Sequence, residues 1–180
     1  MKKKIIKILG IILGILLLIF IVWKIITYEE KYFNKFDFNK NHTVFNMTDI
    51  DYLDTIIHSG LQSIKIDNII VVIKPMIDKK NLQIPDNINI KAYIIGEGIQ
   101  YIIYIDKMSK NENINVLSHE LIHLEQYYTK KLIIKKDTII WDDHIINIEL
   151  LTYEERPWEK EAFNNQHNLE NKMRKILYGK

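Results

Sequence analysis

Two histidines four residues apart, with a glutamate directly after the first, bring two imidazoles and a carboxylate within reach of one point: His119-Glu120-Leu121-Ile122-His123. On an α-helix a four-residue step turns the direction by about 40°, so His119 and His123 project from one face with Glu120 beside them. Neutral imidazoles suit Zn²⁺, and a hydrolytic zinc keeps one coordination position for water, whose proton an adjacent carboxylate can take. H-E-x-x-H therefore predicts hydrolysis, most often of peptide bonds, with His119 and His123 as metal ligands and Glu120 as general base. At this composition an accidental match is roughly a one-in-a-hundred event, and the helical setting described below makes it rarer.

A catalytic zinc takes a third protein ligand, and the segment Arg156-Pro157-Trp158-Glu159-Lys160-Glu161-Ala162-Phe163 offers candidates. Pro157 suits a first helical turn, after which Trp158, Ala162, Leu169, Met173 and Ile176 share one face of a C-terminal helix. Glu159 and Glu161 both flank that stripe, about 200° apart, and angle alone does not choose between them. His144, in Trp141-Asp142-Asp143-His144, is another group able to reach a metal or a transition-state oxygen, although a hairpin histidine at the surface is its simpler role. His42, His58 and His167 lack ligand-spaced partners and read as solvated or locally hydrogen-bonded residues. Gln126 and Tyr127 lie on the site-facing side one turn after the motif, where they can line a cleft or support a ligand. Tyr153 reads as a packed tyrosine whose phenol is able to donate to an oxyanion.

Taken together, H-E-x-x-H and the later E-x-x-A of Glu159 to Ala162 resemble gluzincin-type metallopeptidases. In that family the motif helix is followed by a second helix bearing a glutamate ligand. The resemblance covers about a third of the chain, as such local motifs do. It matches His119 and His123 with the histidine ligands, Glu120 with the base and Glu159 with the glutamate ligand. It implies a bound Zn²⁺ and a peptide or protein substrate. The chain departs from the pattern at Phe163, which stands where an aspartate often follows E-x-x-A.

These residues need elements to hold them. Ile114, Leu117, Leu121, Leu124 and Tyr128 fall opposite His119 around the helix, an apolar stripe that turns the motif face away from the core. Ser109 and Glu112 form an S-x-x-E capping box that starts this helix. Upstream, a first helix is expected from a cap near Thr48 to Gly60, with Ile50, Leu53, Ile56 and Ile57 inward. Ile69 to Ile73 reads as a strand, and Ile88 to Ile95 with Ile99 to Ile105 as a pair around Gly96-Glu97-Gly98. One of these strands is positioned to edge the cleft and add main-chain hydrogen bonds to an extended peptide. Thr138 to Trp141 and Ile145 to Ile148 add a short hairpin. The order gives an α+β class: small sheet, H-E-x-x-H helix, C-terminal ligand helix, as in a compact zincin-like domain.

The N-terminus carries a second signal. Ile8 to Trp23 is an unbroken run of sixteen apolar or glycine residues. With Lys7 and Lys24 snorkelling, the run reaches from Ile5 to Ile26, enough to cross a bilayer at about 1.5 Å per residue. No A-x-A-like cleavage site follows, so a retained single-pass anchor is expected rather than a signal peptide. Lys2, Lys3, Lys4 and Lys7 crowd its N-terminal side, which favours a cytoplasmic N-terminus and an extracytoplasmic domain. Gly10 and Gly14 form a G-x-x-x-G capable of weak helix–helix pairing. The expected organisation is an anchor over 1–27, a juxtamembrane segment over 28–47 and the domain over 48–180.

Charge and composition exclude other classes. Five of the 25 lysines and arginines precede residue 28, so 20 face 23 acids beyond it and the domain carries about −3. No basic nucleic-acid face is implied, and there is no glycine-rich phosphate loop. The absence of cysteine excludes thiol catalysis, disulfides and cysteine-ligated zinc. A catalytically inactive, membrane-tethered module for binding or assembly is the alternative to a peptidase. A purely structural zinc site is disfavoured because it would leave Glu120 without purpose.

Overall fold

A computed structural model of the chain describes residues 42–76, 90–135 and 138–179. The expected anchor, its Gly10 and Gly14 and most of the juxtamembrane segment lie outside the described residues. Among the described residues no helix is long and apolar enough to cross a membrane.

The fold is mixed α+β, with three α-helices and two sheets among the described residues. The main sheet holds β1 (Thr43–Asn46), β2 (Ile70–Pro75), β3 (Ala92–Glu97) and β4 (Gln100–Ile105), in the order β1-β2-β4-β3. β1, β2 and β4 run parallel, and β3 pairs antiparallel with β4 at one edge. Alternation in these Ile- and Val-rich strands sends Val71, Ile73, Ile94, Tyr101, Ile103 and Ile105 into the core, as the two-residue period of a strand requires. Helix α1 (Leu53–Ile64) forms the crossover from β1 to β2 and packs against α2 (Lys110–Tyr128) and α3 (Pro157–Tyr178). A second sheet, β5 (Leu132–Lys135), β6 (Thr138–Trp141) and β7 (His144–Ile146), is an antiparallel meander.

Several expectations shift. The segment expected as juxtamembrane contains β1, which is paired with β2 from Thr43. Thr48 does not cap α1: its hydroxyl donates to Asn46 Oδ1 at 2.7 Å and accepts from the Ile50 N–H at 3.1 Å, closing a turn after β1. The helix begins after Tyr52 and passes Gly60, ending at Lys65, which takes φ 57°. Gly60 is interior because a Cβ there would run into the buried Leu121 side chain. In the β3–β4 hairpin, Gly96 and Glu97 belong to β3 and the turn is Gly98-Ile99. Gly98 takes φ 64°, the conformation that a two-residue hairpin turn asks of its first position.

Helix α2 starts as expected. Ser109 Oγ accepts from the Glu112 N–H, and Glu112 Oε2 accepts from the Ser109 N–H at 3.1 Å. Ile114, Leu117, Leu121 and Leu124 are fully buried, while Tyr128, at the last turn, is exposed. On α3, Trp158, Ala162, Leu169 and Met173 are buried, but Leu177 rather than Ile176 carries the stripe onward, one turn after Met173.

Candidate metal centre

Capped at Ser109 and anchored by its apolar stripe, α2 holds His119, Glu120 and His123 beneath the start of α3. All three are buried, as is Glu159. Pro157 sets the first turn of α3 and Trp158 and Ala162 fix its rotation, so Glu159 faces the two histidines. Its Oε2 lies 3.2 Å from His119 Nε2 and 3.4 Å from His123 Nε2, and the two Nε2 atoms are 3.1 Å apart. Ligands about 2.05 Å from a tetrahedral ion stand about 3.3 Å from one another. The three atoms thus form one face of a tetrahedron of the size a small divalent ion requires, and the group could hold a metal.

The surrounding contacts fix the donor atoms. His123 Nδ1 donates to Gln126 Oε1 at 2.8 Å, leaving Nε2 with its lone pair toward the site. Gln126 Nε2 donates to the Trp158 carbonyl at 3.0 Å and to Glu161 Oε2 at 3.1 Å. Lys131 Nζ donates to Glu161 Oε1 at 2.7 Å. Glu161 therefore supports the site through Gln126, and the structure does not bring it to the histidine nitrogens. His119 is held differently. Its ring lies 4.7 Å from that of Phe163, and its buried Nδ1 has no hydrogen-bond partner. Packing stands where a carboxylate acceptor would otherwise orient the imidazole.

Charge is distributed unevenly over the carboxyls. Burial opposes ionisation of Glu159, but hydrogen bonds from His119, His123 and Tyr153 outweigh it and hold this carboxyl at about 2. Burial likewise pushes His123 down, and Glu159 and Glu120 more than reverse it, so the imidazole lies above its ordinary range. For Glu120 burial wins: its carboxyl is raised despite the nearby histidines and a hydrogen bond from the Ile94 main chain. A carboxyl moved toward neutrality is better matched to proton exchange at neutral pH.

The site opens into a cavity of about 580 Å³. One wall is Lys91 with the edge-strand residues Ala92 to Ile95, and Leu132, Ile134, Ile139 and Trp158 add apolar lining. Tyr127 and Tyr153 also line it. Burial and then the charges of Glu120 and Glu159 push the Tyr127 phenol up to about 12, and Tyr153 is raised in the same way. Both remain proton donors at neutral pH.

Of the other histidines, none joins this group. His144 is exposed on the β6–β7 hairpin, with Nδ1 2.6 Å from the Asp142 carbonyl oxygen. His167 is exposed and hydrogen-bonded to Asn171. His42 and His58 meet each other, ring centroids 4.8 Å apart, a pairing their sequence separation conceals. Sequence spacing likewise gives no sign that Lys131 supports Glu161 or that Phe163 packs on His119.

No family model matches this chain, and neither the curated proteins nor the solved structures contain a significant match.

Proposed function

We propose that the protein is a zinc-dependent metallopeptidase of gluzincin type. The observation that carries this reading is the tetrahedral face formed by His119, His123 and Glu159 with Glu120 in the same cavity. Two imidazoles and one carboxylate suit Zn²⁺ and are the donor set of hydrolytic rather than structural zinc. When bound there, Zn²⁺ supplies Lewis acidity to the scissile carbonyl and acidifies a water.

The chain's own residues account for the rest of the reaction. Glu120 accepts the proton of the attacking water as its oxygen bonds to the carbonyl carbon, and returns it to the amide nitrogen as the C–N bond breaks. The protonated phenol of Tyr127 is suited to donate to the negative oxygen that develops, while Tyr153 donates its hydrogen bond to Glu159. Among the described residues β3 is an edge strand, and its Ala92 to Ile95 line the cavity, suited to an extended peptide that adds main-chain hydrogen bonds. An inactive binding module is the second reading; an open cavity beside the donor group favours turnover over it.

The activity is proposed to be held at a membrane by the apolar segment of residues 1–27, with the N-terminus cytoplasmic and the domain outside. Metal analysis of the purified chain, with His119→Ala alongside, tests the reading. About one equivalent of zinc is expected in the parent and none in the variant. Peptide hydrolysis should vanish with a chelator and return with added Zn²⁺. Hydrolysis that survives full metal removal would overturn it.

A further inference from the structure

Arg156, the residue before Pro157, lines the same cavity as Glu159 and is not used by the reaction described above. Its Nε is buried without a hydrogen-bond partner. Among the described residues no carboxylate lies within ion-pairing distance of its guanidinium. The acids nearest in sequence are otherwise engaged or turned outward. Glu155 accepts from the Thr152 N–H at 2.9 Å, Glu159 is committed to the histidines, and Glu154 is exposed. Among the described residues it is the face of Tyr153 that meets this charge, with a ring centre 5.4 Å from the guanidinium carbon.

A guanidinium keeps its charge at any accessible pH and presents a planar fork matched to a carboxylate. Holding one in a partly buried cavity without an anion is unfavourable until a ligand supplies it. The neighbouring wall of Leu132, Ile134, Ile139 and Trp158 is apolar, so the complementary ligand joins an anionic oxygen pair to an apolar side chain. Resting on the reading of the cavity as a peptide cleft, we propose that Arg156 is a specificity residue that binds a carboxylate of the substrate. Peptides with a free C-terminal carboxylate, or an acidic side chain near the cleaved bond, are then the preferred class.

The test is equilibrium binding to the zinc-loaded, full-length Glu120→Gln variant in detergent, which needs no turnover. The probes are one N-acetylated tetrapeptide of alanine, phenylalanine and leucine as its free acid, the same peptide as its C-terminal amide, and the amide with glutamate replacing the last residue. At least one of the two carboxylate probes, the free acid or the glutamate amide, should bind at least about tenfold more tightly than the plain amide, as a charge-assisted fork contact implies. Adding Arg156→Gln should remove that preference with zinc content and thermal midpoint unchanged, and Arg156→Lys should restore part of it. Tight binding of the glutamate amide would assign the contact to acidic side chains, and weak binding to the terminal carboxylate; either supports the proposal if Arg156→Gln abolishes it. Equal binding of the free acid, the plain amide and the glutamate amide, or an equal loss for all three in Arg156→Gln, would overturn the carboxylate role and leave the peptide cleft standing. No binding of any probe would overturn the cleft reading together with it.

Discussion

Gln126 Oε1 accepts the Nδ1 proton of His123 at 2.8 Å, and this single bond decides which nitrogen of that imidazole is offered to a metal. The same amide donates to the Trp158 carbonyl and to Glu161, so it ties the histidine helix to the helix that carries Glu159. His119 has no such partner and relies on the ring of Phe163. The two histidines of one motif are therefore oriented by different means, one by a hydrogen bond and one by packing.

Replacing Gln126 by Leu should weaken zinc binding by about 10–100-fold, the usual cost of losing the group that orients a ligating histidine. Competition with a chromophoric chelator measures this directly. Gln126→Glu keeps an acceptor for His123 Nδ1 but sets a second negative charge against Glu161, so it should retain more affinity than Leu while lowering the thermal midpoint. Affinity unchanged in both variants would remove Gln126 from the support of the site.

Glu159→Ala and Glu161→Ala separate the two carboxylates of α3. Loss of Glu159 deletes one of three donors and should reduce zinc affinity by at least two orders of magnitude. Loss of Glu161 leaves the donors intact and frees only Gln126 Nε2 and Lys131, so a decrease of no more than about tenfold is expected. The reverse order would make Glu161 the ligand.

Without metal, stability should depend on pH in a specified way. Glu159 is held at about 2 against an ordinary 4.5. Its contribution is present above 4.5 and lost as pH falls toward 2. His123 is raised above 6.5, so its contribution is present below 6.5 and lost as pH rises through its folded value. The raised Glu120 also disfavours the alkaline side. Thermal midpoints of the chelator-treated protein should peak between 4.5 and 6.5 and fall on both sides. Saturating Zn²⁺ should flatten the alkaline fall, because the metal needs the deprotonated imidazole. A midpoint that climbs steadily to pH 8 without metal would contradict this.

What could be read from the residues follows the reach of local rules. The capping box at Ser109, the stripe from Ile114 to Leu124 and the placing of Pro157 depend on a few neighbouring positions, and all appear in the structure. So does the bringing together of His119, His123 and Glu159, although Glu159 could be preferred to Glu161 only through resemblance. Features set by distant contacts were hidden. Gly60 looks like a helix stop, yet it lies inside α1 because Leu121 and Met173 close over it. β5 is too short and too lysine-flanked to stand out, and becomes a strand by pairing with β6. The parallel β1–β2–β4 arrangement is a matter of crossover, which alternation within each strand does not encode.

The apolar N-terminal segment makes its own prediction. The full chain should sediment with membranes and keep its N-terminal residues, and protease should reach the domain from outside once any outer barrier is opened. A soluble product beginning near residue 28 would replace the anchor by a cleaved signal, and complete protection would reverse the orientation.

The most direct test of the central claim is Glu120→Gln, which keeps the shape of the side chain and removes its ability to take a proton. Zinc content and peptide hydrolysis are measured on one preparation of the full chain. Zinc should stay near one equivalent while hydrolysis falls by at least about 10²-fold, the lower range for loss of a general base. Turnover at the parent rate would exclude Glu120 from proton transfer, and loss of zinc with the activity would make it a ligand rather than the base.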